Sequence, residues 1–264
     1  MTDPPFDYSE YDEGRHCNYW ELNPVLQDEV KRLYPVDEFE WAEEKLAEFG
    51  GLVGHTIADN ADRIDEHGPE LQTHDKHGEL LNAVHYHPDQ FENERLIYEH
   101  GIVADAFNAP PGRDEPVGLL HTLTEQLLLS YADTGLVCAQ SMTSGAALAL
   151  RNHDHSGEYT EYLAQLTARD YETVIEGAMF LTEEQGGSDV GANETVAEAV
   201  PTPRKATEAG APEAKASQDG GKLETREYKL TGEKWFCSNI DAQGTLALGR
   251  RPGAPEGTKG LSLF

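Results

Sequence analysis

The sequence has no run of about 18 consecutive apolar residues, and its opening stretch, M-T-D-P-P-F-D-Y-S-E, contains no apolar core. Neither a membrane-spanning helix nor a secretory signal is therefore expected. Cysteine is scarce: Cys17, Cys138 and Cys237 stand far apart with no C-x-x-C spacing, which argues against a disulfide framework or zinc ribbon and suits a reducing cytosol. Positive charge is also short. Lys and Arg number 20 against 49 Asp and Glu, a formal charge of −29, and only nine of the cations are lysine. Such a field repels polyanions and no basic stripe interrupts it, so nucleic-acid binding through this chain is not expected. The acidity reads as bulk surface solvation in a high-salt cytoplasm. G-x-G-x-x-G, P-loop and G-x-S-x-G patterns are absent, which excludes Rossmann, nucleotide-hydrolase and serine-hydrolase readings.

With 264 residues the chain is long enough for about two domains, each with a core. Residues 1–21 read as a polar arm that docks through Tyr19 and Trp20. Asn23-Pro24 is a helix start, with Leu26, Val30 and Leu33 at helical spacing until Pro35. A second helix is expected from Asp37 to about Ala61 through Phe39, Leu46, Phe49, Val53 and Ile57, with Gly50-Gly51 either breaking it or admitting a close neighbour. Between Leu71 and Tyr86 a D-x-x-G turn joins two extended arms, a hairpin near 70–87, and Pro88 opens another helix. Leu119, Leu120, Leu123, Leu127 and Tyr131 form a helical stripe. The run L-V-C-A-Q-S-M-T-S-G-A-A-L-A-L is a helix rich in small residues, and Tyr159–Leu166 is a short one.

From Glu176 the period becomes strand-like. Residues 191–200 and 223–230 read as paired strands, with a mobile apolar-poor insertion at 201–222; Gly244–Gly249 and Leu261–Phe264 are further strands. The division is therefore 1–175 helical and 176–264 β. Residues 223–264 carry six Lys/Arg against five Asp/Glu, so the acidity belongs to the first 222 residues.

Two stretches in the β part carry chemistry. Met179–Val190 reads M-F-L-T-E-E-Q-G-G-S-D-V, an apolar strand delivering a glycine-rich loop. Consecutive glycines and a small hydroxyl make either a cradle of free amides for an anionic or acceptor-rich group or an ordinary turn. Further on, Y-K-L-T-G-E-K-W-F-C-S-N places a turn at Thr231-Gly232 and a strand over Lys234–Asn239. Alternation along that strand would put Phe236 and Ser238 on one face, as a heterocycle platform or as a plain barrel position.

Together the two stretches resemble the T-E-x-x-x-G-S-D loop and K-x-W/F-x-T/S-N strand of the acyl-CoA dehydrogenase flavoproteins. E-x-Q-G-G-S-D-V, K-W-F and the upstream Met142-Thr143 are most similar to the alkylation-response, AidB-like branch. The resemblance implies an α+β fold, a mostly helical N-terminal domain followed by an incomplete antiparallel β-barrel domain. It implies FAD as cofactor, an acyl-CoA substrate dehydrogenated at its α,β bond with hydride passing to flavin N5, an electron-transfer flavoprotein or similar acceptor, and a homo-oligomer at full length. It assigns Leu181, Thr182 and Glu183 to the pyrimidine edge of the flavin, Gly187 and Ser188 to the pyrophosphate, Phe236 to the ring system and Ser238 to N5. Ser188, Met142 and Thr143 are its candidates on the substrate side, with helix packing open as an alternative for the last two. Phe236 and Ser238 stand where many members have Trp and Thr.

The family continues with more strands and a C-terminal four-helix domain that supplies the catalytic glutamate. The resemblance here covers the N-terminal portion, so no catalytic residue is assigned, and a flavin would be held weakly by this portion alone. Glu183 and Glu184, as loop carboxylates in so acidic a chain, are expected to be solvated. A non-catalytic, truncated or split flavoprotein module acting by association in a stress response is the alternative reading. His74, His77, His85 and His87 on the hairpin arms, and the pair His153 and His155, are read as surface histidines, because no further ligand completes a zinc set.

Overall fold

The computed structural model describes residues 14–200 and 227–264; the arm's first thirteen residues and the insertion expected at 201–222 lie outside the described residues. The chain divides into two compact units, Met1–Val137 with Arg169–Glu172, and Cys138–Ala168 with Thr173–Phe264. Among the described residues no helix is long and apolar enough to cross a membrane.

In the first unit, α1 (Pro24–Leu33) starts where the Asn23 side chain accepts the Leu26 N–H at 2.9 Å, with Pro24 in the first turn. Helix α2 (Val36–Leu52) continues through one π turn at Val53–Ile57 into α3 (Ala58–Glu66). Phe39, Leu46, Phe49, Val53 and Ile57 are all buried. Gly50-Gly51 does not end this helical run, because the glycines serve the other expected purpose. A Cβ on Gly50 would stand 2.5 Å from Asn18 Oδ1 and 2.6 Å from the Trp20 amide, and one on Gly54 would overlap the Cys17 carbonyl. The arm lies directly on the bare helix backbone: Tyr19 N–H donates to the Gly50 carbonyl at 3.1 Å and His16 N–H to that of Gly54 at 3.0 Å. Trp20 is thereby buried, and Tyr19 meets Tyr131 edge-on.

Strands β1 (Glu70–His74) and β2 (Leu80–His85) form the expected antiparallel hairpin, with Leu71 opposite Val84. Its turn is closed by the Asp75 carboxylate, which accepts from the His77 and Glu79 amides at 2.7 and 2.9 Å. Helix α4 (Pro88–His100) follows, capped by His87 and started by Pro88.

Helix α5 (Leu119–Leu129) forms where the leucine stripe lies, but with its faces exchanged. Leu120, Leu123, Leu127 and Tyr131 face outward, Leu123 being 59% exposed, while His121, Thr122, Glu125, Gln126, Leu128 and Leu129 are buried. The inward face is tolerated because the Glu125 carboxylate lies between two imidazoles, His100 and His121.

Helix α6 (Thr134–His153) has its first turn in the first unit and continues into the second, where α7 (Thr160–Leu166) follows. The strands are β3 (Gly177–Phe180), β4 (Val196–Ala199), β5 (Tyr228–Thr231), β6 (Gly244–Arg250) and β7 (Leu261–Leu263). Helices followed by a sheet give the α+β class expected. The sheet is open, and it is mixed where an antiparallel barrel was expected. Strand β6 pairs parallel with β3, parallel with β4 at Arg250, and antiparallel with β7, while β4 and β5 are antiparallel. A parallel β3–β6 pair is possible because more than sixty residues separate the strands, ample for a crossover.

The strand expected over Lys234–Asn239 is not formed. Phe236 and Asn239 have φ of 56° and 55°, left-handed values that interrupt an extended ladder, so the alternation argument for Phe236 and Ser238 does not apply.

The close contact between arm and helix is open to test. Gly54→Ala is expected to displace the arm and lower stability by about 1–3 kcal/mol, the usual range for an overpacked site. Urea unfolding followed by tryptophan fluorescence, to which Trp20 contributes with Trp41 and Trp235, checks it.

Candidate functional site

The second unit brings the two motif stretches together through one carboxylate. Strand β3 ends at Phe180, and Leu181-Thr182 carry the chain into a tight turn in which Glu183 and Gly186 exchange backbone hydrogen bonds of 3.3 and 3.0 Å. Gly186 is required there because a Cβ would overlap Asn193 Oδ1. The Asn193 side-chain amide donates to the Leu181 carbonyl at 2.5 Å, and the Asp189 side chain accepts from Gly191 N–H, rounding the loop back toward Glu194 and Thr195.

Glu183 points inward and is 3% exposed. Its Oε2 accepts from the Glu194 amide at 2.6 Å and from Gln185 Nε2 at 2.8 Å. Its Oε1 accepts from the Thr195 amide at 3.1 Å, from the Thr195 hydroxyl, and from Lys234 Nζ at 2.6 Å. The expectation that Glu183 is solvated is thus overturned, because five donors replace the water it gives up. Burial alone would raise its pKa, but Lys234, the Thr195 hydroxyl and the Glu194 and Thr195 amides outweigh it and hold the carboxyl down at about 2. A carboxylate so held is a poor proton acceptor. Glu184, by contrast, is exposed.

Lys234 begins the K-W-F-C-S-N stretch, so this ion pair fixes the second stretch to the first. Trp235 N–H donates to the Thr182 carbonyl at 2.9 Å, and Asn239 Nδ2 donates to Glu176 Oε2 at 2.9 Å and the Gly177 carbonyl at 3.3 Å. Between these anchors the chain bulges outward. Phe236 is 79% exposed, with Trp235 edge-on to it at 5.9 Å. Ser238 is exposed, as are Gly187 and Ser188 on the first loop. Among the described residues, the hydroxyls of Thr182, Ser188 and Ser238 make no hydrogen bond. Burial raises the pKa of Cys237 against the opposing pull of Lys234, so its thiol is a weak nucleophile.

Met142 and Thr143 lie on α6 at the foot of β3. Thr143 is buried; its hydroxyl donates to the Ala139 carbonyl at 3.1 Å and accepts the Gly177 amide at 3.0 Å. That geometry is the helix packing which the sequence left as an alternative.

Glu183, Glu184, Gln185, Glu194, Thr195, Gly232, Glu233 and Trp235 line a cleft of about 260 Å³. Its carboxylates make it unsuited to phosphate, which is better matched by the exposed Gly187-Ser188 backbone. Among the described residues no group of three or more His, Cys, Asp or Glu is arranged to hold a metal ion.

The residues present therefore fit one side of a flavin: free hydroxyls at Thr182, Ser188 and Ser238, an exposed phenyl ring at Phe236, and a loop carrying no bulky apolar side chain. Sequence reading missed Glu183 as the hub. Its signal was the carboxylate immediately after an apolar strand in one motif and the lysine that opens the other.

Comparison with known proteins bears on the fold and the family. The fold is of the acyl-CoA dehydrogenase kind: butyryl-CoA dehydrogenase from Megasphaera elsdenii shares it, with a TM-score of 0.50 at 18% identity over 90% of this chain and 47% of that one. More particularly, the chain belongs to the family of the adaptive response protein AidB N-terminal domain, whose sequence model matches residues 11–173. Acyl-CoA dehydrogenase family member 11 of Caenorhabditis elegans is 26% identical over 254 residues, 94% of this chain and 37% of that protein. The putative acyl-CoA dehydrogenase AidB of Escherichia coli K12 is 25% identical over 235 residues, 85% of this chain and 37% of that protein. The Bd2924 apo-form superimposes with a TM-score of 0.76 at 25% identity, covering 96% of this chain and 46% of that one. The chain thus spans a little over a third of the length of the two curated relatives and a little under half of the two solved chains.

Glu183→Gln is expected to destabilise the second unit by about 3 kcal/mol, because Lys234 is left without its counter-charge. The sign in pH follows from the low carboxyl pKa. The contribution of Glu183 is complete above its ordinary value of 4.5 and disappears as pH falls through about 2. Acid titration followed by circular dichroism is expected to show an unfolding step between those values that the variant lacks.

Proposed function

We propose that this chain is the flavin-facing N-terminal portion of an FAD-dependent acyl-CoA dehydrogenase. The observation that carries the reading is the Glu183–Lys234 clip, which holds both motif loops so that Ser188, Ser238 and Phe236 remain exposed and Thr182 half-buried, the three hydroxyls making no hydrogen bond among the described residues. Thr182 and the backbone from Leu181 to Glu183 would hold the pyrimidine edge of the flavin, Gly187 and Ser188 its phosphates, and Ser238 the N5 edge, with Phe236 against the ring face. FAD, when bound, supplies the two-electron acceptor for α,β-dehydrogenation of an acyl-CoA thioester. The task of this portion is positioning: fixed hydroxyls orient the ring and the phenyl side chain shields it from water. Ser188 would face the acyl-CoA side, with Met142 and Thr143, buried on α6, supporting that side through helix packing. An electron-transfer flavoprotein or similar acceptor would reoxidise the cofactor. The structure of the C. elegans ACDH-11 protein in complex with C11-CoA, 23% identical with a TM-score of 0.76, supports an acyl-CoA for its own chain, and the proposal extends that ligand class to this one.

A second reading, a non-catalytic module acting by association, is favoured by the charge-free leucines 120, 123 and 127 exposed on α5. Mixing the FAD-loaded protein, assembled with whatever polypeptide completes it, with acyl-CoA thioesters of graded length separates the two. Bleaching of the flavin with at least one thioester is expected for the dehydrogenase, and retained colour with every thioester supports the module. Ser238→Ala, which removes a hydroxyl with no hydrogen-bond partner among the described residues, is expected to weaken FAD retention about fivefold, one hydrogen bond's worth, with an unchanged circular dichroism spectrum.

A further inference from the structure

The interior of the first unit contains an ionised group away from water. Glu125 on α5 is fully buried, and its Oε1 lies 3.1 Å from His100 Nε2 on α4 and 3.4 Å from His121 Nε2 one turn earlier on its own helix. The Tyr34 hydroxyl, just past the end of α1, lies 3.1 Å from His121 Nδ1. From α2, Phe49 stacks on the His100 ring at 4.7 Å and Trp41 lies 5.1 Å from that of His121. The other charged groups facing the cluster are Glu38 and the Lys45–Glu48 pair on α2, and Asp105, which is buried and bonded to Arg169. Arg169 also donates to the Glu99 and His100 carbonyls, fixing the end of α4.

We propose that His100, Glu125 and His121 form a pH-operated latch that holds α5 onto α2 and α4, closed while His121 carries a proton and released when it loses it. The helix depends on this contact more than most, because Leu120, Leu123 and Leu127 are exposed and Leu128 and Leu129 are its only buried leucines. With His121 protonated, Glu125 has a counter-charge at contact distance. Without that proton the buried carboxylate has lost the counter-charge on its own helix, a costlier state.

The electrostatics set the window. Burial pulls the pKa of His121 down, but Glu125, with Asp105 and Glu38 behind it, more than reverses this and raises it above the ordinary 6.5. Burial likewise pushes Glu125 up, and His121 and His100 outweigh it to hold the carboxyl at about 2. The imidazolium contribution is therefore complete below 6.5 and is lost as pH rises through the raised value. The carboxylate contribution is complete above 4.5 and is lost as pH falls through about 2. The latch is tightest between 4.5 and 6.5 and opens on the alkaline side.

Hydrogen–deuterium exchange of the intact chain from pH 6 to pH 9, corrected for intrinsic exchange, tests it. Protection of residues 119–129 is expected to fall by up to about tenfold per pH unit once His121 titrates, the slope set by one proton. Helix α7 and strand β6 in the second unit are expected to change less. Glu125→Gln, which removes the charge, is expected to flatten the response of α5. Constant protection in the native protein, or a native-like pH response in Glu125→Gln, would overturn the latch. If Glu125→Gln does not fold, His121→Gln keeps a donor toward Glu125 without a titrating ring, and a native-like response in that variant overturns it equally.

Discussion

The second unit rests on the ion pair between Glu183 and Lys234. The sheet by itself leaves the motif loops unspecified: β3 ends before one of them, and β5 and β6 flank the other across a stretch with no ladder. What brings them together is a single carboxylate that accepts two backbone amides, a hydroxyl, a side-chain amide and an ammonium group. Removing the carboxylate from water is costly, and only a nearly complete donor set offsets that cost. Because the donors come from residues 185, 194, 195 and 234, the electrostatic requirement also defines the shape. Trp235 and Asn239 then fasten the second loop at either end, and the intervening Phe236 and Ser238 are left facing outward.

The first unit solves the same problem differently. Glu125 also lies buried, but its partners are imidazoles, whose charge depends on pH, where Glu183 has a lysine, whose charge is constant through the physiological range. One buried carboxylate is therefore a permanent fastener and the other a conditional one. The contrast also accounts for the orientation of α5. A helix whose inward face is anchored by charge can leave a leucine seam outside, at the expense of exposing apolar surface that only a partner would cover.

Much of the architecture was legible in the residues. Asn23-Pro24, the D-x-x-G turn at Asp75–Gly78 and Pro88 act through local chemistry, capping or φ restriction, and each element begins where those residues place it. The pair of motifs gave the family. Features settled by tertiary contacts were not legible. The leucines of α5 have helical spacing whichever way they face, and no local pattern shows that His100, over twenty residues away, would meet Glu125 in the interior. Lys234–Asn239 alternates like a strand, yet Asn239 is drawn back to Gly177 and the backbone at Phe236 turns left-handed to follow. The direction of Glu183 depended on Lys234, some fifty residues further along the chain.

The proposed role of the Glu183–Lys234 pair is to build a flavin half-site from two loops. Its most direct test is a titration of FAD into the chain, read as perturbation of the visible flavin absorption, for the native sequence and for Lys234→Met. The account predicts a saturable, weak perturbation with the native chain and its loss in the variant, in which the second loop is no longer fastened. An equal response in a folded Lys234→Met, or none with the native chain at any FAD concentration, would contradict it.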